Sequence, residues 1–321
     1  MSDQFIGIDV GGTKIATATL EAGELSESYL QHTELSSQEK LVGQLIAAIE
    51  HARTDQTRAV GIGVPSLIEF ATGRIRSSVN IPLTDVPLRE LLTEKAGLPV
   101  YVENDASCAA LAEAFRDGRM AVAHLVMFTV GTGVGGGLVL NGRLYRGATG
   151  AASEVGHTLI GLDLEDGAPP HDGVFPQAGS LERLASGRAL DQLADAAARE
   201  DANSFLGKRL TREGGVTGHD VVDGAREGDE ASIRCLRILG ERLGIGIANA
   251  ITMFDPLEIV IGGGVSAAGE LLLGPAREVA GRYTLPGVGT ETTIRLARRG
   301  PEAGVVGAAL IAVQESEHAG T

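Results

Sequence analysis

Residues 5–14 read Phe-Ile-Gly-Ile-Asp-Val-Gly-Gly-Thr-Lys, an alternating apolar run that ends in an acid and a glycine turn bearing a hydroxyl and a cation. The runs on either side, Phe5–Val10 and Ile15–Leu20, predict a β-hairpin. Gly11 and Gly12 let the backbone turn with φ > 0 and approach a ligand closely, while N–H groups of the turn point at anionic oxygens. Asp9 stands where a metal ion or a water bridges a carboxylate to a phosphate. Taken alone the segment stays open to a second reading, because Gly-Gly between two strands is also an ordinary hairpin turn.

A similar element returns in mid-chain. Leu125-Val-Met-Phe-Thr-Val130 reads as a buried strand, followed by the turn Gly131-Thr-Gly-Val-Gly-Gly-Gly137 and by Leu-Val-Leu. Two strand–turn–strand units imply two halves built alike, with a polyphosphate gripped in the cleft by one turn from each. Neither turn is a Gly-x-Gly-x-x-Gly fingerprint opening a helix, and Gly-x-x-x-x-Gly-Lys-[Ser/Thr] does not occur. The phosphate binding is therefore neither of the Rossmann nor of the P-loop type.

A chain of 321 residues exceeds a comfortable single core, which favours two domains. Hydrophobic residues make up 43% and aromatic residues 3%, so Ala, Val, Leu and Ile must fill the interior, as buried strands with covering helices do. The expected class is α/β. A formal charge of −15 disfavours nucleic acid and anionic membrane surfaces as partners, since both select clustered Lys and Arg. The Met-Ser-Asp-Gln start has no basic segment of a signal peptide, and no apolar run reaches the ~18 residues of a spanning helix, so a cytoplasmic protein is expected. The two cysteines, Cys108 and Cys235, are far apart and read as small buried hydrophobes.

Along the first half, Leu41, Leu45, Ile46 and Ile49 at helical spacing predict a helix to Ala52, capped by Ser36 or Ser37. A buried strand follows at Ala59–Pro65, a helix at Leu88–Ala96 and a strand at Val100–Glu103. Asn104 and Asp105 sit at the end of that strand and open an Ala-rich helix, whose start favours the charged form of Asp105 and keeps it ionised. Arg116–Arg119 reads as a connector, and 161–179 as a polar loop. Further on come a long amphipathic helix over Asp229–Phe254, a strand at Leu257–Ile261, the turn Gly262–Ser266 and a last helix at Val305–Glu315 that returns to the first half. The expected domains are 1–117 plus 303–321, and 118–302.

Asp9-Val-Gly-Gly-Thr-Lys14, Glu103-Asn-Asp-Ala106, Gly131–Gly137, Ser153-Glu-Val-Gly-His157 and Ile261-Gly-Gly-Gly-Val-Ser266 together resemble the ROK family of sugar kinases and sugar-responsive repressors. The resemblance implies the actin-like, ribonuclease H-like ATPase fold, with two α/β domains closing over nucleotide and sugar. It implies that Asp105 is the general base, accepting the proton of a sugar hydroxyl as the γ-phosphoryl group arrives. Asn104, Glu154, His157 and Glu182 become ligands of sugar hydroxyls, with Asn80 as a further contact. Asp9 would hold Mg²⁺ through water, Gly11, Gly12, Thr13, Lys14, Thr132 and Gly133 would bind phosphate, and Gly263 and Gly264 would flank the adenosine. ATP and Mg²⁺ are thus the implied cofactors, and a homodimer or homotetramer the implied assembly.

The family's cysteine-rich zinc element is missing. No cysteine lies between His157 and Glu182, and Ser180 stands where the last thiolate would be, so a thiolate zinc site is excluded and zinc is not expected. Asp163, Asp166, His171 and Asp172 offer, with His157, only a weak His/carboxylate substitute, and packing through Phe175 is the expected way for the loop to hold. The favoured activity is phosphorylation of glucose. Fructose, mannose, allose, N-acetylglucosamine or N-acetylmannosamine as substrate, polyphosphate as donor, and a non-catalytic sugar sensor are the alternatives. A DNA-bound repressor is disfavoured, since only Met1–Gln4 precede the first hairpin.

Overall fold

A computed structural model describes residues 2–319 except 79 and 172. The chain divides into two compact units, Met1–Leu125 with Gly137–Ser153 and Arg298–Thr321, and Val126–Gly136 with Glu154–Ala297. The sequence reading instead placed 118–125, 137–153 and 298–302 in the second half. Segment 137–153 joins the first unit through small residues: a Cβ on Gly137 would lie 2.4 Å from Ala110 Cβ and 2.8 Å from Ala106 O.

In the first unit β1 (Gln4–Val10) and β2 (Lys14–Glu21) form the expected antiparallel hairpin, in register down to Val10 opposite Ile15. Two short strands, β3 (Glu24–Leu25) and β4 (Tyr29–His32), add to β2. The helix α1 (Gln38–Ala52) then crosses over to β5 (Thr57–Val64), which pairs parallel with β1. Ser37, not Ser36, caps α1 by accepting the Lys40 N–H, and the helix buries Leu41, Leu45, Ala48 and Ile49 in one core with Ile6, Ile8, Ile62 and Val64. Each such Leu or Ile contributes about 1.5–3 kcal/mol relative to exposure.

Sequence reading missed the β6 (Ser66–Glu69) and β7 (Arg74–Ser78) hairpin, whose alternation is too short and polar to stand out. The helix α2 (Leu88–Ala96) leads into β8 (Val100–Asn104), giving the order β3-β2-β1-β5-β8. The Ala-rich helix α3 (Asp105–Ala114) starts directly at the strand end. The expected connector is a small hairpin, β9 (Phe115–Arg116) and β10 (Arg119–Met120), turning at Asp117 and Gly118 with positive φ. The last helix, Ala303–Ala319, packs on β1, β5 and α3. It lies on bare backbone: a Cβ on Gly61 would come within 1.7 Å of Ala308 O.

The second sheet has the order β13-β12-β11-β14-β15. Strands β11 (Leu125–Val130) and β12 (Val134–Leu140) enclose the second glycine turn, and β13 (Arg143–Leu144) follows. The described residues of 161–179 form no helix or strand, and a bridge from Leu159 to Ser180 closes the loop. Four helices then follow where no elements were assigned from sequence: α4 (Leu181–Ala185), α5 (Gly187–Glu200), α6 (Phe205–Glu213) and α7 (Gly218–Arg226). Their signals were present, since Ser180, Ser186 and Ser204 each cap one of them.

The long helix α8 (Glu230–Phe254) was expected, capped by Asp229 and burying Leu236, Leu239, Leu243 and Ile247. Strand β14 (Glu258–Gly262), helix α9 (Glu270–Tyr283) and strand β15 (Thr293–Leu296) complete the unit, with α9 packed on α8. Cys108 and Cys235 are buried free thiols. Among the described residues no helix is long and apolar enough to cross a membrane.

Candidate active site

On the first unit, β8 delivers Asn104 and α3 begins with Asp105. The Asn104 side chain is the N-cap: its Oδ1 accepts the N–H groups of Ala106 at 2.9 Å and Ser107 at 3.2 Å. The Ala106 N–H is also 2.9 Å from Asp105 Oδ1, so the carboxylate is tied to the helix start. The N–H groups of Ala106 and of Asp105 itself pull the Asp105 pKa down, but burial acts more strongly and raises it above the ordinary 3.8. The helix start favours the charged form, as expected, and burial opposes it more strongly.

Asp9, on the β1 edge of the first turn, has its pKa raised to about 6, first by burial and then by the charge of Asp105, with Lys14 opposing. Its carboxyl group lies on the start of the last helix, where a Cβ on Gly304 would come within 2.4 Å of Asp9 Cγ. Two desolvated carboxylates sharing one neighbourhood form a site that a cation would relieve.

The turn itself differs from expectation. Neither Gly11 nor Gly12 takes a positive φ, nor does Gly131 or Gly133. The turn closes by Gly11 N–H donating to Lys14 O at 2.9 Å, and Thr33 braces it, its Oγ1 donating to Gly11 O at 2.6 Å and its N–H to Thr13 O at 3.0 Å. Glycine supplies room here rather than conformational freedom: a Cβ on Gly12 would meet Asn80 Cβ at 3.2 Å, which places Asn80 against the turn. Thr13 and Lys14 are exposed.

On the second unit, Glu182 in α4 reaches the other turn. Its Oε2 accepts the Val134 N–H at 2.8 Å, and a Cβ on Gly133 would sit 2.3 Å from the same oxygen. Gly187, at the start of α5, donates its N–H to Gly131 O at 2.7 Å. Thr132 and Gly264 line one cavity of about 550 Å³, together with Arg188, Leu190, His219 and Arg226, which sequence reading did not single out. Gly263 has φ 84° and accepts from Ser266 N–H at 3.1 Å and Oγ at 2.7 Å, holding Gly264 open with no atom within 4 Å of its Cβ position.

Glu154 precedes a single 3₁₀ turn that His157 ends, and both are exposed. The His157 ring meets the Phe175 ring edge-on at 5.9 Å, and His171 meets Phe175 at 5.5 Å. No group of three or more His, Cys, Asp or Glu placed to hold a metal occurs among the described residues, and Asp172 lies outside them.

An antiparallel hairpin with an acid at its turn, a carboxylate at the start of a helix beyond a parallel strand, and a second unit repeating the glycine turn define an actin-like ATPase fold. The model of the ROK family matches residues 5–315. A glucokinase of Halalkalibacterium halodurans is 36% identical over 98% of this chain and 97% of its own. Among solved structures, a ROK hexokinase from Thermus thermophilus superposes with a TM-score of 0.79 at 33% identity, covering 98% of this chain and 99% of that one. A ROK family glucokinase from Streptomyces griseus, in complex with glucose and AMPPNP, gives 0.75 at 34% identity over 97% and 99%. The chain belongs to the ROK family.

Proposed function

We propose that this protein is an ATP-dependent hexose kinase that transfers the γ-phosphoryl group to a glucose hydroxyl, with Asp105 as general base. The observation that carries the assignment of the base is the half-buried Asp105 carboxylate at the start of α3, with a pKa raised above 3.8 and an oxygen pinned by the Ala106 N–H. A raised pKa makes the ionised carboxylate a stronger proton acceptor. The sugar hydroxyl oxygen forms a bond to the γ-phosphorus, its proton passes to Asp105, and the bond from that phosphorus to the bridging oxygen breaks to release ADP. The choice of glucose is supported by the glucokinase relatives, one of them holding glucose and AMPPNP.

Asn104, Asn80, Glu154, His157 and Glu182 are proposed to bind sugar hydroxyls. Gly11, Gly12, Thr13, Lys14, Thr132 and Gly133 are proposed to bind phosphate, and the 550 Å³ cavity at Gly264 is large enough for the adenosine. The Asp9 carboxyl, raised to about 6 by burial and by Asp105, fits a water-bridged Mg²⁺, and Lys14 supplies a further positive charge. Magnesium, when bound, neutralises charge on the phosphates. A homodimer or homotetramer rests on the family resemblance, and sedimentation tests the assembly.

The test is a coupled ADP-release assay with ATP, Mg²⁺ and a panel of hexoses and N-acetylhexosamines, run with and without a zinc chelator. Turnover on glucose that survives chelation and falls by about 10²–10⁴ in Asp105→Ala is the expected result. Turnover on another sugar in the panel would reassign the substrate. Sugar binding by calorimetry without any ADP release would overturn the kinase reading.

A further inference from the structure

Behind Asn104 and Asp105 lies a charged cluster that no step of the proposed reaction uses. Glu103, the residue preceding Asn104 on β8, is buried, and its two oxygens do different things. Oε1 accepts the Asn104 N–H at 2.9 Å, and Oε2 accepts Arg146 Nε at 2.6 Å. The other end of the Arg146 guanidinium forms an ion pair with Glu315 Oε1 on the last helix at 3.0 Å, without the geometry of a hydrogen bond. Its centre stands 3.5 Å from the centroid of the Phe70 ring. Arg89 approaches the same ring at 5.1 Å and is itself held by the carbonyls of Phe70 and Ala71 at 2.6 and 2.9 Å.

One guanidinium thus ties three distant parts of the first unit: the end of β8, the 145–153 segment and the last helix. Burying three charges has a high desolvation cost, so an arrangement of this kind is weak support for stability as such. What it fixes is the peptide that carries Asn104, and Asn104 in turn caps the helix whose first residue is Asp105. The link from the cluster to Asp105 runs through the Asn104 peptide, held by Glu103, and through the Asn104 cap of α3, so the coupling argued is one of position. We propose that Arg146 is a positioning residue for the general base, acting through Glu103 and Asn104, with Glu315 as its anchor. This inference rests on Asp105 being the base.

The test measures kcat and KM, by single turnover where rates are low, for Arg146→Lys and Glu315→Gln in two backgrounds, Asp105 and Asp105→Asn. Lysine keeps the charge and loses the fork that spans both carboxylates. Arg146→Lys is expected to lower kcat by about tenfold or more with KM for ATP within about twofold, and to lower the residual rate of Asp105→Asn by less than about twofold. Glu315→Gln, which leaves the Glu103–Arg146 bond intact, is expected to show the same pattern at about threefold with its thermal midpoint nearly unchanged. Equal losses in both backgrounds would assign the cluster to general structure, and an unchanged kcat would leave it without a role; either overturns the proposal. If Arg146→Lys fails to fold, Glu315→Gln decides by the same comparison. An Asp105→Asn enzyme of full activity would instead overturn the base assignment and this inference with it.

Discussion

Glu182 Oε2 accepts the N–H of Val134 at 2.8 Å, so a carboxylate proposed to bind sugar occupies a backbone donor of the turn proposed to bind phosphate. Only glycine at 133 admits it, because a Cβ there would lie 2.3 Å from the same oxygen and 2.9 Å from Glu182 Cδ. The two proposed sites on the second unit are therefore linked through one peptide.

Gly133→Ala is expected to displace Glu182 from Val134. The clash falls on the far end of a flexible side chain, so the fold should lose no more than about 1–2 kcal/mol while kcat/KM for sugar falls at least about tenfold. Steady-state kinetics alongside urea unfolding measures both. If Glu182→Ala added to Gly133→Ala lowers kcat/KM by a further tenfold, the link is not the cause of the first loss.

Asp9 makes a stability prediction of unusual sign. Its folded pKa, about 6, lies above the ordinary 3.8, so the folded chain binds that proton more tightly than the unfolded chain. Stability from this group is greatest at low pH and is lost as pH rises through about 6. Asp9→Asn should therefore stabilise the ligand-free protein at pH 8 by on the order of 1–3 kcal/mol and leave it nearly unchanged near pH 4. The same variant should lose most kinase activity. Denaturant titrations at the two pH values check the sign, and destabilisation at pH 8 would contradict it.

The pH dependence of the reaction follows from the same groups. Protonation removes the base from Asp105 and the negative charge from Asp9, and burial raises both above the ordinary carboxylate value. Activity should rise with pH through the region around 6 and then level off. A kcat/KM profile flat down to pH 4.5 would show that neither carboxylate acts as described.

Gly264 offers a probe of the proposed nucleotide side alone. Its Cβ position is free of neighbours and it borders the 550 Å³ cavity, so Gly264→Leu should fill the space without straining the backbone. KM for ATP is expected to rise about tenfold or more, with sugar KM within about twofold and an unchanged thermal midpoint. A change confined to sugar KM would place the nucleotide elsewhere.

Gly61→Ala tests how the last helix is seated. A Cβ at 61 would come within 1.7 Å of Ala308 O, and neither strand backbone nor helix backbone can yield cheaply. A loss of about 3 kcal/mol or more is expected from chemical unfolding, since overpacking against main chain exceeds the usual side-chain range.

Much of this protein was determined by local chemistry. The Phe5–Lys14 hairpin, the second glycine turn, Asp105 at a helix start and the α8 stripe all follow from periodicity, turn residues and caps within a few positions of one another. Tertiary structure decided what depends on residues far apart. It showed that Gly12 and Gly133 supply room and not positive φ, that burial outweighs the helix start at Asp105, and that Glu182 lies on Val134. It also joined Glu103, Arg146 and Glu315, and built the cavity wall from helices whose caps were visible but whose facing residues were not. The physical reason is that desolvation and close approach are properties of surroundings assembled from the whole chain, whereas periodicity and capping need only neighbouring residues.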